Sequence, residues 1–236
     1  MNTSVYAERQ PRPVLVILSG GQDSATCLYW AKKQFLGPLH AITFDYGQRH
    51  RVELECAAEL ARDAGAVHAL IPVNSLSALS SNALTDSSVA VSGNTGMNGL
   101  PSTFVPGRNA LFLTLAAAYA VPKGISDLVI GACQMDAAGY PDCRDGFIKS
   151  MQHALSMAME SQVRVHTPLM YLTKDQTFRL ADKLGVLEKI VKGTHTCYEG
   201  NHSDLHAWGY GCAQCPACDL RRKGYEDFLE RSALAR

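Results

Sequence analysis

Val14-Leu15-Val16-Ile17-Leu18-Ser19-Gly20-Gly21-Gln22-Asp23-Ser24-Ala25-Thr26 is the stretch whose reading decides the fold. Residues 14–18 form an apolar run rich in β-branched side chains, the pattern of a buried strand. The run Ala25-Thr26-Cys27-Leu28-Tyr29-Trp30-Ala31 then reads as a helix. Two glycines at a strand-to-helix turn let a ligand approach the backbone closely. The free N–H groups and positive end of the helix favour an anion there. Ser19 and Ser24 add hydroxyl donors, and Asp23 can hold a magnesium ion. No lysine follows the glycines, so this is not a Walker-type loop reaching for a γ-phosphate. A lysine-free loop suits a pyrophosphate that departs when an acceptor oxygen takes AMP. A plain glycine turn would need none of the flanking serines or the aspartate. Leu18, Ser19, Gly20, Gly21, Gln22, Asp23, Ser24, Ala25 and Thr26 are therefore the expected ATP-binding segment.

Working outward, strand-like and helix-like segments alternate. Leu39–Asp45 and Val67–Val73 read as strands, and His50–Ala64 as the helix between them. Arg108–Val121 is the next helix, Asp127–Ala132 the next strand and Asp145–Glu160 another helix. Thr173-Lys174-Asp175-Gln176 is a capping box that opens a helix running through Leu184. The order predicts a Rossmann-like, doubly wound, mostly parallel sheet with helices on both faces. Ligands in such sheets lie outside the carboxyl ends of the strands. The opening loop, Asp45-Tyr46-Gly47-Gln48-Arg49 and Gly131-Ala132-Cys133 all follow strands, so they should meet at one crevice. Asn74–Gly107 is long, irregular and rich in Ser, Asn and Gly; loops of that length are functional or mobile. A lid over 74–101 is one use for it.

The chain has 236 residues, 47% of them hydrophobic, with 22 basic and 22 acidic side chains. That balance argues against a broad polyanion-binding face, so no nucleic acid is expected. No apolar run approaches the ~18 residues of a membrane span. Met1–Pro13 is polar and lacks a signal-peptide core. A cytoplasmic protein is the expectation. Its eight cysteines are then better read as metal-binding or reactive than as disulfides. Cys197, Cys212, Cys215 and Cys218 have the spacing C-x14-C-x2-C-x2-C. Two-residue gaps aim successive thiolates at one ion, and the distant fourth closes a tetrahedron, a common structural zinc set. The iron–sulfur alternative would continue with a fourth cysteine and a proline, whereas Asp219-Leu220-Arg221 follows Cys218. His195, His202 and His206 are weaker substitute ligands. Cys27 and Cys56 read as packing residues, while Cys133 and Cys143 fall in crevice loops. A nucleotide-binding α/β domain over 1–192 and a zinc-binding helical segment over 193–236 are expected.

The opening loop resembles the pyrophosphate loop of adenylating ATP pyrophosphatases. Nearly end to end, the chain resembles the 7-cyano-7-deazaguanine synthases, nitrile-forming ligases of queuosine biosynthesis. The resemblance rests on Ser-Gly-Gly-Gln-Asp-Ser at 19–24, Phe-Asp-Tyr-Gly-Gln-Arg-His at 44–50 and Phe-Val-Pro-Gly-Arg-Asn at 104–109. Gly-Tyr-Pro-Asp-Cys-Arg at 139–144, Thr-Pro-Leu-Met at 167–170 and the four cysteines extend it. One departure is visible: Asn201–Tyr210 reads as an insertion within the cysteine segment.

The resemblance implies ligation of 7-carboxy-7-deazaguanine with ammonia, driven by Mg-ATP, in a homodimer with one structural zinc per chain. The acid is adenylated, ammonia displaces AMP to leave an amide, and a second adenylation turns the amide into a nitrile. A carboxylate is wanted for the N–H donors of the guanine edge, with Asp142 first and Asp136 second. Arg108 and Arg144 can neutralise the substrate carboxylate or a phosphate. Tyr46 and Phe104 can stack on a flat base, and Asp45 either meets adenosine or ends its strand. A tRNA-thiolating relative, or a zinc-bearing ATP-binding module without turnover, is the alternative.

Overall fold

The computed structural model describes residues 11–73, 82–85, 88–89, 91, 99–134 and 140–234. Most of the segment read as a lid, and Asp136, lie outside the described residues. Five strands, β1 (Val14–Ile17), β2 (Leu39–Asp45), β3 (Val67–Pro72), β4 (Asp127–Val129) and β5 (Arg164–His166), form one sheet in the order β3-β2-β1-β4-β5. Every pairing is parallel. The chain steps outward from β1 to β3, then returns to β1's other side, so the topological switch lies where β1 meets β4.

Alternation along β1 sends its side chains to two layers, both buried, as an all-parallel sheet requires. Val14 and Val16 face a core shared with α1 (Gln22–Gln34), α2 (Val52–Ala64) and part of the C-terminal half. Leu15 and Ile17 face a core shared with α3 (Arg108–Ala120) and α4 (Asp145–Ala158). Cys27 belongs to the first core and Cys56 is buried, as packing residues should be.

Four of the described elements go beyond the sequence reading. β5 is a three-residue strand, too short and too polar to stand out. Helix α6 (Leu187–Gly193) follows α5 (Lys174–Lys183), whose Thr173–Gln176 capping box forms as expected. The apparent insertion holds a small hairpin, β6 (Leu205–His206) and β7 (Gly209–Tyr210). Helix α7 (Pro216–Ala233) closes the chain and packs Phe228 into the first core. Strand β4 ends at Val129, three residues earlier than expected, and leaves Gly131 and Ala132 as loop. Among the described residues no helix is long and apolar enough to cross a membrane.

Candidate active site and metal centre

The segment from Ser19 to Ser24 caps β1 at the switch point. Gly20 has φ +88°, and a Cβ there would lie 2.1 Å from the carbonyl oxygen of Glu53. Only glycine lets the loop turn this tightly against α2. The two serines hold the loop in shape. Ser19 Oγ and Ser24 Oγ are 3.0 Å apart, the Ser19 N–H donates to Ser24 Oγ, and Ser24 Oγ donates to the Gly21 carbonyl. The Gly21 N–H donates to Ser19 Oγ at 3.3 Å. Their hydroxyls thus serve the loop itself, where the sequence alone suggested donors for a ligand. Gly131 approaches from β4: a Cβ there would sit 3.0 Å from the Ser24 nitrogen.

A cleft of about 330 Å³ opens above the loop. Leu18, Ser19, Gly21, Gln22, Asp23 and Ser24 line it, with Tyr46 from the β2 loop and Arg108 from the first turn of α3. The expected convergence of the strand-following loops is therefore found. Ala25 and Thr26 do not line it: Ala25 is core, and Thr26 Oγ1 donates within the helix to the Gln22 carbonyl. Two buried polar atoms of the loop have no protein partner, Gln22 Nε2 and Asp23 Oδ1. Such atoms take a water, an ion or a ligand as partner.

Several expected residues sit beside the cleft without lining it. Asp142 is buried and Asp142 Oδ2 accepts the Asn109 N–H at 3.0 Å, which satisfies a free donor in the first turn of α3. That bond fixes the turn bearing Arg108. Phe104 is outside the lining and meets the Tyr140 ring at 6.4 Å. Arg144 is exposed as the residue before α4. Asp45 accepts from the Gly47 N–H and from Arg51, the strand-ending role of the two foreseen.

Sequence reasoning missed other residues. Lys174, the first residue of α5, reaches Asp23 Oδ2 at 2.6 Å. The loop lacks a lysine in sequence yet has one in space. Reading β5 as a strand would have flagged the following segment, which leads to Lys174. Glu53 also lines the cleft, and burial pushes its carboxyl up to about 7, against the pull of Arg108. Burial disfavours the Arg108 charge, but Tyr46, Tyr140, Asp142 and Tyr198 outweigh it and hold its pKa above the usual arginine value. Tyr46 is buried and its phenol is pushed up to about 12.

The C-terminal half closes the cleft. The His195 N–H donates to the Gly20 carbonyl at 3.0 Å, so this segment hydrogen-bonds the loop directly. Burial lowers the His195 pKa to about 4, so its ring is neutral; Nε2 lies 3.0 Å from the Cys197 carbonyl. Arg221 is almost wholly buried. It donates to the carbonyls of Trp208 at 2.8 Å and Ile190 at 3.0 Å, and to Thr196 Oγ1 at 2.9 Å. It therefore ties α7 to α6 and the hairpin.

Cys197, Cys212, Cys215 and Cys218 place their sulfurs within 4.8 Å of one another. Cys212 and Cys218 are 3.9 Å apart. A tetrahedral ion with bonds of about 2.3 Å to sulfur sets its ligands about 3.8 Å apart. The Cys215 N–H donates to Cys212 Sγ, the kind of support a thiolate ligand takes. Ala213 turns the backbone there with φ +58°. The set fits a metal ion such as zinc. Among the described residues the three histidines are not in the ligand group.

A doubly wound parallel sheet, with a glycine-rich loop over its switch point and a four-thiol cluster that could hold a metal ion, places the chain in the class of nucleotide-binding α/β folds. The family model described as queuosine biosynthesis protein QueC matches residues 13–229. A 7-cyano-7-deazaguanine synthase of Helicobacter pylori (strain Shi470) is 46% identical, covering 90% of this chain and 95% of that protein. One of Chromobacterium violaceum is 49% identical, covering 90% and 88%, and one of Burkholderia vietnamiensis is 48% identical, covering 92% of each. The chain belongs to the QueC family of queuosine-biosynthesis enzymes.

Proposed function

We propose that the protein is an ATP-dependent C–N ligase that converts 7-carboxy-7-deazaguanine and ammonia to 7-cyano-7-deazaguanine. The observation that carries this reading is the meeting, in one cleft, of the 19–24 loop with Lys174, Glu53, Arg108 and Tyr46. Hydroxide leaves a carboxylate poorly, so the acid oxygen first attacks the α-phosphate of ATP. Loop N–H groups and Lys174 stabilise the departing pyrophosphate, in a site organised before the charge develops. Ammonia then displaces AMP and leaves the amide. The amide oxygen is adenylated in turn, and loss of AMP gives the nitrile. Arg108 orients the substrate carboxylate, and Tyr46 lies against the flat base. Asp142 acts through α3 by holding Arg108 in place.

The orphaned Asp23 Oδ1 suits a magnesium ion brought with ATP, which would offset phosphate charge. The four thiols would hold one structural zinc, within a segment over 193–236 that braces the loop through His195. We expect a cytoplasmic homodimer. Incubation with 7-carboxy-7-deazaguanine, ammonium and Mg-ATP tests the activity by product mass and nucleotide analysis. Nitrile with AMP supports it, and an unchanged substrate mass overturns it.

A further inference from the structure

Glu53 is the second residue of α2, and its carbonyl is the atom that forbids a side chain at Gly20. Its backbone is thereby pressed onto the loop expected to hold pyrophosphate. Among the described residues the cleft wall carries two carboxylates, Asp23 and Glu53. Asp23 Oδ2 accepts from Lys174 at 2.6 Å, and the reading above gives its Oδ1 to magnesium. Glu53 is the carboxylate left to act on a substrate.

This inference rests on the ligase reading above. That reaction must remove protons from nitrogen twice. Ammonium is the dominant form near neutral pH and has no lone pair for attack. One N–H proton must go as ammonia becomes nucleophilic at the acyl-adenylate carbon; the C–N bond forms, the C–O bond to AMP breaks, and the added nitrogen sheds its next proton to solvent. Adenylation of the amide oxygen leaves an imidate nitrogen with two protons. One is lost before the C–O bond breaks, and the last leaves as the C≡N bond forms and AMP departs. A base beside the loop, at the reacting end of the substrate, fits both turnovers.

We propose that Glu53 is a catalytic residue, the base that takes these protons from nitrogen. Its backbone is set against the phosphate loop. Arg108 on α3 and Tyr46 on the β2 loop act on its environment, and the Asp23–Lys174 pair, His195 and Tyr198 share its cleft. A base works best with a pKa near the working pH, and burial brings Glu53 to about 7.

The test uses the full-length, metal-loaded enzyme with 7-amido-7-deazaguanine and Mg-ATP, which removes the ammonium equilibrium. Exchange of labelled pyrophosphate into ATP reports adenylation, and nitrile release reports the proton step. Glu53→Gln should lower nitrile formation about 10²- to 10⁴-fold, the range for a lost general base, while exchange stays within about threefold. Wild type should show a limb in kcat rising with pH near neutrality that Glu53→Gln lacks, and Glu53→Asp should recover part of the rate. Equal loss of exchange and nitrile in both variants would overturn the proposal in favour of a structural role. A raised KM with kcat intact would overturn it in favour of base recognition, and so would a pH limb that survives in Glu53→Gln. Wild-type enzyme that makes no nitrile from acid, ammonium and ATP fails the ligase reading itself, which separates the two.

Discussion

Replacing Gly20 by alanine tests the loop geometry most sharply. The residue sits at φ +88°, where an L side chain costs about 1–2 kcal/mol. The added Cβ would also lie 2.1 Å from the Glu53 carbonyl oxygen, well inside the 3.4 Å at which ordinary contact begins. Relief requires more than an ångström of backbone movement, because the obstacle is main chain at the start of α2. Overpacking of this kind costs about 1–3 kcal/mol, so the total is about 2–5 kcal/mol. Two controls separate the terms. Gly65→Ala, at φ +73° with open space around its Cβ, carries only the strain of about 1–2 kcal/mol. Gly21→Ala, at φ −82° with nearest atoms 3.4 Å and 3.5 Å away, should be nearly neutral for stability. With a urea slope of about 2 kcal/mol/M, Gly20→Ala should lower the unfolding midpoint by about 1–2.5 M, and by more than Gly65→Ala. It should also abolish pyrophosphate exchange. Equal midpoints for the Gly20 and Gly65 variants would refute the account of how α2 and the loop are packed.

Three further outcomes follow from other contacts. Lys174→Gln leaves Asp23 without its ion-pair partner and the pyrophosphate without the cationic side chain proposed to stabilise it; adenylation should fall about 10²-fold or more, as for loss of a charge-stabilising donor, in an exchange assay. Asp127 is fully buried and holds Arg164, His166 and Arg12; burial works against its charge, but Arg164 and His166 outweigh it and draw its pKa below the usual carboxylate value. Asp127→Asn should cost about 3 kcal/mol at pH 7. Because the folded pKa is the lower one, that difference is fully present above about pH 4 and shrinks as pH falls further; urea curves at several pH values check it. Removal of metal by a strong chelator, or Cys215→Ser, should lower the melting temperature and also nucleotide binding, since the cysteine segment hydrogen-bonds the loop through His195. Melting with and without ATP reads both effects.

The sequence was most legible where chemistry is local. β2 spans the expected residues, and the Thr173–Gln176 capping box forms because both its bonds lie within four residues. The cysteine group was legible for the same reason, since ligand spacing is written along the chain. What escaped was non-local. Lys174 meets Asp23 across 151 residues, and only the fold brings them together. Glu53 reads as an ordinary acid in a first helical turn, where the helix dipole favours one anyway. Asp142 shows the converse: a carboxylate in a motif can face a substrate or satisfy a helix end, and its N–H partner is visible only in the fold. β5 hid because Arg-Val-His, at the edge of the sheet, lacks the apolar run by which the inner strands announce themselves.

The central claim is that one loop adenylates twice, first an acid and then its amide. It is tested most directly by giving the enzyme 7-amido-7-deazaguanine and Mg-ATP with no ammonium. The account predicts nitrile with one AMP and one pyrophosphate for each molecule formed. Release of ADP and phosphate, or an amide left unchanged by enzyme that consumes the acid, would contradict it.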